Sequence, residues 1–175
     1  MIFNFKGKIQ SNVFIDNLLA KSNGNIVIIR PIYYKEIKKS EISLSILNLI
    51  IGKLESLYDK DMTFKMIMSD EDGPIVFVVI NKDSFDLKHD MAVFEDEDEL
   101  GQLGVYMVYD KIENRFIKRS EANSDYRTCP ICRDEYINCD INNKHNRDEI
   151  IKHLSSRYSE LRKEFFSVIL MNSVC

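Results

Sequence analysis

Four residues near the C-terminal end constrain this chain more than anything else in it. The stretch "TCPICRDEYINCDINNKH", 128 to 145, sets Cys129, Cys132, Cys139 and His145 at C-x2-C-x6-C-x5-H spacing, and three of the chain's four cysteines fall inside it. Zn2+ takes four tetrahedral thiolate and imidazole ligands, and two cysteines separated by two residues can grip one ion from a single turn. Pro130 stiffens that turn, and Cys139 and His145 close the cage from a returning loop. With every position filled by protein, such a site holds structure and leaves no vacancy for substrate. His153 is a competing fourth ligand, but it lies well inside the following helical pattern, so His145 is preferred. The plainer alternative is three buried thiols and a surface histidine. If the metal is there, it supplies on the order of 10 kcal/mol at neutral pH, and its loss should unravel residues 125 to 145.

Composition places this knot in an ordinary globular chain. Of 175 residues 45% are hydrophobic and 30% charged, enough apolar material for a real core. Asp and Glu outnumber Lys and Arg 28 to 24, so the basic footprint of nucleic-acid binding is missing. The loops between the ligands, "RDEYIN" and "DINNK", are balanced in charge as well. The N-terminal "MIFNFKGKIQ" lacks the apolar core of a secretory signal, and "IVFVVI" is too short to span a bilayer. We therefore expect a cytoplasmic protein with no membrane or nucleic-acid partner, in which clustered cysteines act as ligands before they act as disulfides.

The order of elements predicts an α+β fold: a mixed or antiparallel sheet flanked by helices, ending in a zinc knot and a helix. One domain spans 1–175, divided into an α/β core at 1–120, the knot at 121–145 and the C-terminal helix at 146–172. "NIVIIRPI", 25 to 32, reads as a strand closed by Pro31. Residues 40 to 58 read as a buried helix, with Ser40 as N-cap and Ile42, Ile46, Leu47, Ile50, Leu54 and Leu57 at helical spacing. Strands are expected at 62–69, 74–80 and 89–95, the middle one central because it is apolar on both faces. A further pair is expected at 103–110 and 114–119. Met62, Met66 and Met68 read as core filling, and the acidic run Glu95 to Glu99 as a solvated turn between strands rather than a cation site. Asn146 and Glu149 form a capping box, followed by Ile150, Leu154, Tyr158, Leu161 and Phe165 on one helical face.

These segments together resemble the citrate lyase holo-acyl-carrier-protein synthases, the apo-citrate lyase phosphoribosyl-dephospho-CoA transferase family. The knot carries the resemblance first. "KKSEISLSILN" (38 to 48), "GPIVFVVINKDSFDLK" (73 to 88) and Glu95 followed by "LGQLGVYMV" (100 to 108) extend it, so that the chain is similar to the family from about residue 25 to residue 170. The resemblance implies transfer of the phosphoribosyl-dephospho-CoA prosthetic group from triphosphoribosyl-dephospho-CoA to a serine of the apo acyl carrier subunit of citrate lyase, releasing pyrophosphate. It also implies cations around the polyphosphate and, in an active enzyme, carboxylates for Mg2+.

Lys38, Asn48, Lys88, Arg119 and Arg127 match the family's pattern and are the candidate substrate-binding residues; Glu95 and Glu121 match it too. The family's Arg stands here as Gln102, its two Asp positions as Val105 and Met107, and its aromatic position as Gly104. The basic segment expected after Leu18 and Leu19 is missing as well. Neither Val nor Met can ligate Mg2+, and Asp110 is the nearest replacement. Two readings stand: an active transferase with an unidentified catalytic carboxylate, or a non-catalytic relative that binds the carrier or the nucleotide as an assembly protein.

Overall fold

The computed structural model describes residues 3–4, 8–38, 40–122 and 126–172, with side chains described for 14–33, 35–38, 40–122 and 126–163. Strand β1 (Phe3–Asn4) precedes helix α1 (Lys8–Lys21), strand β2 (Asn25–Pro31), the single turn α2 (Tyr34–Ile37) and helix α3 (Glu41–Leu57). Strands β3 (Met62–Asp70) and β4 (Gly73–Ile80), helix α4 (Ser84–Glu97), and strands β5 (Gly104–Asp110) and β6 (Arg115–Ile117) follow. Helices α5 (Tyr136–Ile141) and α6 (Arg147–Asn172) end the described chain.

The strands form one sheet in the order β1-β3-β4-β2-β5-β6, antiparallel throughout except for the two-residue parallel pairing of β1 with β3. The α+β expectation holds. Strand β4 lies between β3 and β2, where a run apolar on both faces is expected.

Alternation along the strands divides the core in two. Val27, Ile29, Val76, Val78, Ile80, Tyr106 and Val108 face α3, α4 and α6. Ile26, Ile28, Ile75, Phe77 and Val79 face Ile15, Leu18 and Leu19 of α1. On α3 the spacing works as predicted for Ile46, Leu47, Ile50 and Leu54, but Leu57 is 55% exposed because the helix ends there, beyond the sheet. Ser40 has the extended backbone of an N-cap, yet its hydroxyl caps nothing; the Ser43 hydroxyl donates instead to the Ser40 carbonyl at 2.6 Å. Met68 is buried, and Met62 and Met66 pack against the core as filling. On α6, Ile150, Leu154 and Leu161 are buried; the side chain of Phe165 and all of Cys175 lie outside the described residues.

The strand expected at 89–95 is the second half of α4. Asp83 caps this helix, its carboxylate accepting from the amides of Phe85 (2.9 Å) and Asp86 (3.2 Å), and Leu87, Met91 and Phe94 recur at helical spacing on the buried side. The acidic run is therefore not a turn between strands. It forms the last turn of α4 and leads into a short 3-10 turn, Gly101–Leu103, with the Asp98 carboxylate accepting the amides of Leu100 and Gly101. Its side chains diverge: Asp96 pairs with Arg119, Asp98 with Lys53 and Glu99 with Arg157. Among the described helices, none is long and apolar enough to cross a membrane.

Candidate metal centre and the charged cluster beside it

The sequence from Tyr126 onward folds back on itself. Thr128 bridges to Glu135, the Cys129 amide donates to the Asp134 carbonyl at 2.6 Å, and Arg133 takes a left-handed backbone (φ 66°) to close the turn. This brings the two cysteines of the turn against Cys139 on α5 and against His145, which immediately precedes α6. The four ligand atoms lie within 4.8 Å of one another. Cys132 Sγ is 3.4 Å from Cys139 Sγ, and Cys129 Sγ is 3.4 Å from His145 Nε2. A tetrahedron with Zn–S bonds of about 2.3 Å has edges of about 3.8 Å, so a small adjustment centres an ion. His153 is not part of the cluster.

The surroundings suit a metal. Cys129 and Cys139 are fully buried and unpaired by disulfide. The amides of Ile131 and Cys132 point at Cys129 Sγ, at 3.4 and 3.5 Å, and the Tyr33 hydroxyl reaches the same sulfur at 2.9 Å. Burial, reinforced by Cys129, pushes the Tyr33 phenol upward, so it stays protonated and able to donate. His145 Nδ1 faces the Glu149 carboxylate at 3.3 Å, the outer partner that orients a metal-bound imidazole. Glu149 was expected to close a capping box. The Glu149 amide does bond Asn146 Oδ1 at 3.0 Å, but the Glu149 side chain serves the histidine. Without an ion, the Asp134 amide holds the Cys132 thiol down to about 6 while burial pushes Cys139 up to about 12, so loading must release protons. These four residues can hold a metal ion such as zinc.

The knot docks beside a second constellation. Two of the five candidate binding residues, Arg119 and Arg127, pair with Glu95, whose residue exposure is 5%, and a third, Lys88, lies close enough to feel its charge. The cause lies in the sheet. Strand β6 pairs with β5 only at Val108, Tyr109 and Asp110, leaving the outer edge of β5 open at Gly104 and Tyr106. Charged side chains complete the ladder there. Glu95 Oε1 accepts the Tyr106 amide at 3.1 Å, Lys88 Nζ donates to the Tyr106 carbonyl at 2.8 Å, and the Arg127 guanidinium donates to the carbonyls of Gly104 and of Gln102 (3.2 Å). Arg119 forks between Glu95 and Asp96. Burial lowers the Lys88 pKa, and the neighbouring arginines push the same way against Glu95.

The remaining candidates sit apart. Lys38 is exposed and borders a shallow cavity of about 250 Å³ with Ser40, Leu44 and Ser69, while Asn48 is exposed on α3. Glu121 pairs with Arg115 on the surface. Val105 and Met107 project toward the α1 face, opposite to Tyr106, with Met107 packed on the second core cluster and Arg30 directly across from Val105. They offer no oxygen to Mg2+. Asp110 cannot stand in: its carboxylate already accepts from Ser84 Oγ and from the amides of Ile112 and Glu113 at 2.6 Å each. Those bonds outweigh burial and hold its pKa below the usual carboxylate value.

Tyr106 shows how the altered strand repacks. A Cβ at Gly104 would lie 2.5 Å from Tyr106 Oη, so the phenol fills the space over the glycine. Its hydroxyl is buried without a hydrogen-bond partner among the described residues. Replacing Tyr106 with Phe should therefore leave stability unchanged or raise it by up to ~1 kcal/mol; a clear fall in the thermal midpoint would mean that the hydroxyl has a partner.

Fold and site together define the class, an α+β protein whose C-terminal third is built around a three-cysteine, one-histidine cluster. The profile of the CitX family, apo-citrate lyase phosphoribosyl-dephospho-CoA transferase, matches residues 6–161. The chain belongs to that family. A search of curated proteins found no match.

Proposed function

We propose that the protein transfers the phosphoribosyl-dephospho-CoA group from its triphosphate donor to a serine of the apo acyl carrier subunit of citrate lyase. In that reaction the seryl oxygen displaces pyrophosphate at the donor's phosphorus, and the hydroxyl proton passes to solvent or a base. The observation that carries this reading is the family match over residues 6–161, most of the chain. The ion in the knot is structural zinc, since four protein ligands leave no open position. Three free thiols at that site suit the cytoplasm, a reducing compartment. Lys38, Asn48, Lys88, Arg119 and Arg127 remain the proposed binding residues for the donor. The bonds of Lys88 and Arg127 to strand carbonyls add a positioning role. No step is assigned to Mg2+, because Val105 and Met107 do not fit it.

That same misfit favours the second reading, a non-catalytic relative that binds carrier or donor during assembly. Intact-mass measurement of the apo carrier after incubation with the protein, triphosphoribosyl-dephospho-CoA and Mg2+ separates the two. Transfer adds the mass of the prosthetic group; an unchanged carrier, beside a working relative as positive control, rejects transfer. In that event the triple variant Q102R/V105D/M107D tests whether the scaffold retains the capacity. Arg30 lies opposite position 105 but is already engaged by both oxygens of the Asp70 carboxylate, so it is left in place in the variant.

A further inference from the structure

The knot and the open edge of β5 are joined by one side chain. Arg127 lies two residues before Cys129, and its carbonyl accepts the Tyr136 amide at 2.8 Å. Its guanidinium carbon sits 5.1 Å from the centre of the Tyr136 ring, on the helix that also carries Cys139. From that anchor the guanidinium reaches Glu95 Oε1 at 3.4 Å and the Gln102 and Gly104 carbonyls. Glu95 Oε1 in turn holds the Tyr106 amide. We propose that Arg127 is a positioning residue through which a metal ion in the knot fixes the backbone of residues 102–106, the segment that contains the family's altered Arg and acidic positions.

The physical argument is one of anchoring. Arg127 is 10% exposed and its planar fork can satisfy two carbonyls and a carboxylate together only from a fixed origin. Cys129 follows Arg127 by two residues and Cys139 follows Tyr136 by three on α5, so each member of the stack sits next to one ligand in sequence. When no ion ties them, the stack keeps its backbone bond but loses the side-chain tie between the turn and α5. The Gly104 carbonyl and Glu95 then lose their shared partner. Arg119 still holds Glu95 and Lys88 still holds the Tyr106 carbonyl, so the strand loosens at its edge without leaving the sheet.

The Tyr106 amide reports this state because its acceptor is a side chain rather than a neighbouring strand. Hydrogen exchange of the full chain, zinc-loaded and after chelation, reads it directly. In the wild type, chelation should speed exchange at the Tyr106 amide by roughly tenfold or more, and by a larger factor than at Val78 in β4. In zinc-loaded Arg127→Met, the Tyr106 amide should already exchange at the metal-free rate and chelation should add nothing. Arg127→Lys serves if the Met variant does not fold, because an ammonium cannot span the same three acceptors. Unchanged exchange at Tyr106 on chelation, equal loosening of Val78, or coupling that survives in the Arg127 variant would each overturn the proposal. Its relevance to catalysis rests on the transferase reading. The exchange measurement uses neither donor nor carrier, so failure of one leaves the other standing.

Discussion

Replacing Cys132 with Ser should release the metal and lower the thermal midpoint by ~10 °C or more. The size follows from the chemistry of the site. A structural zinc supplies on the order of 10 kcal/mol, comparable with the stability of an entire domain. A hydroxyl at position 132 is a poor ligand for zinc, and the remaining three would bind far more weakly. The damage would spread beyond the turn, because Cys129 and Cys139 belong to the main core cluster and Ile150 and Leu154 of α6 pack in the same cluster. Elemental analysis should find about one zinc per wild-type chain and much less in the variant. Replacing Cys175, far from the ligand spacing in sequence, should change neither quantity. A wild-type protein that is metal-free and equally stable would remove the metal from this account.

The second large effect is expected at Glu95. Replacing it with Gln preserves an acceptor for the Tyr106 amide but leaves Lys88, Arg119 and Arg127 around a neutral side chain. Lys88 is 6% exposed, and the side chains of Arg119 and Arg127 are 16% and 10% exposed, so water compensates little. Removing one partner from a buried ionic group typically costs about 3 to 5 kcal/mol, mostly the penalty of stranded charge. Urea denaturation should show that loss. If stranded charge is the cause, the double variant E95Q/K88M should be more stable than E95Q alone, a non-additivity that lost packing would not produce. An E95Q midpoint equal to wild type would mean that the carboxylate is not the counter-ion of this cluster.

How far the sequence could be read depended on the range of the interactions. Helix α3 and strands β2, β3 and β4 are written in local periodicity, and the metal ligands in local spacing. Helix α4 was also legible, since Asp83 is a cap and Leu87, Met91 and Phe94 follow at helical intervals. It was missed because "HDMAVFE" looks like a strand when separated from that cap. The bonding around Glu95 had no local signature. Its contacts join residues 11 to 32 positions apart, and they exist because β6 is too short to cover β5. The resemblance marked Lys88, Glu95, Arg119 and Arg127 as residues that matter, yet only the strand pairing shows what they hold.

That short β6 has a consequence for how the molecule behaves in company. An uncovered strand margin invites another chain to add its own backbone and begin a growing ribbon. At Gly104 and Tyr106 the available groups are instead occupied by ionised side chains, which an incoming peptide could displace only by stripping buried charges of their partners. The same side chains that finish the sheet therefore guard it against self-association, and weakening them should be felt in colloidal behaviour at high concentration as well as in stability.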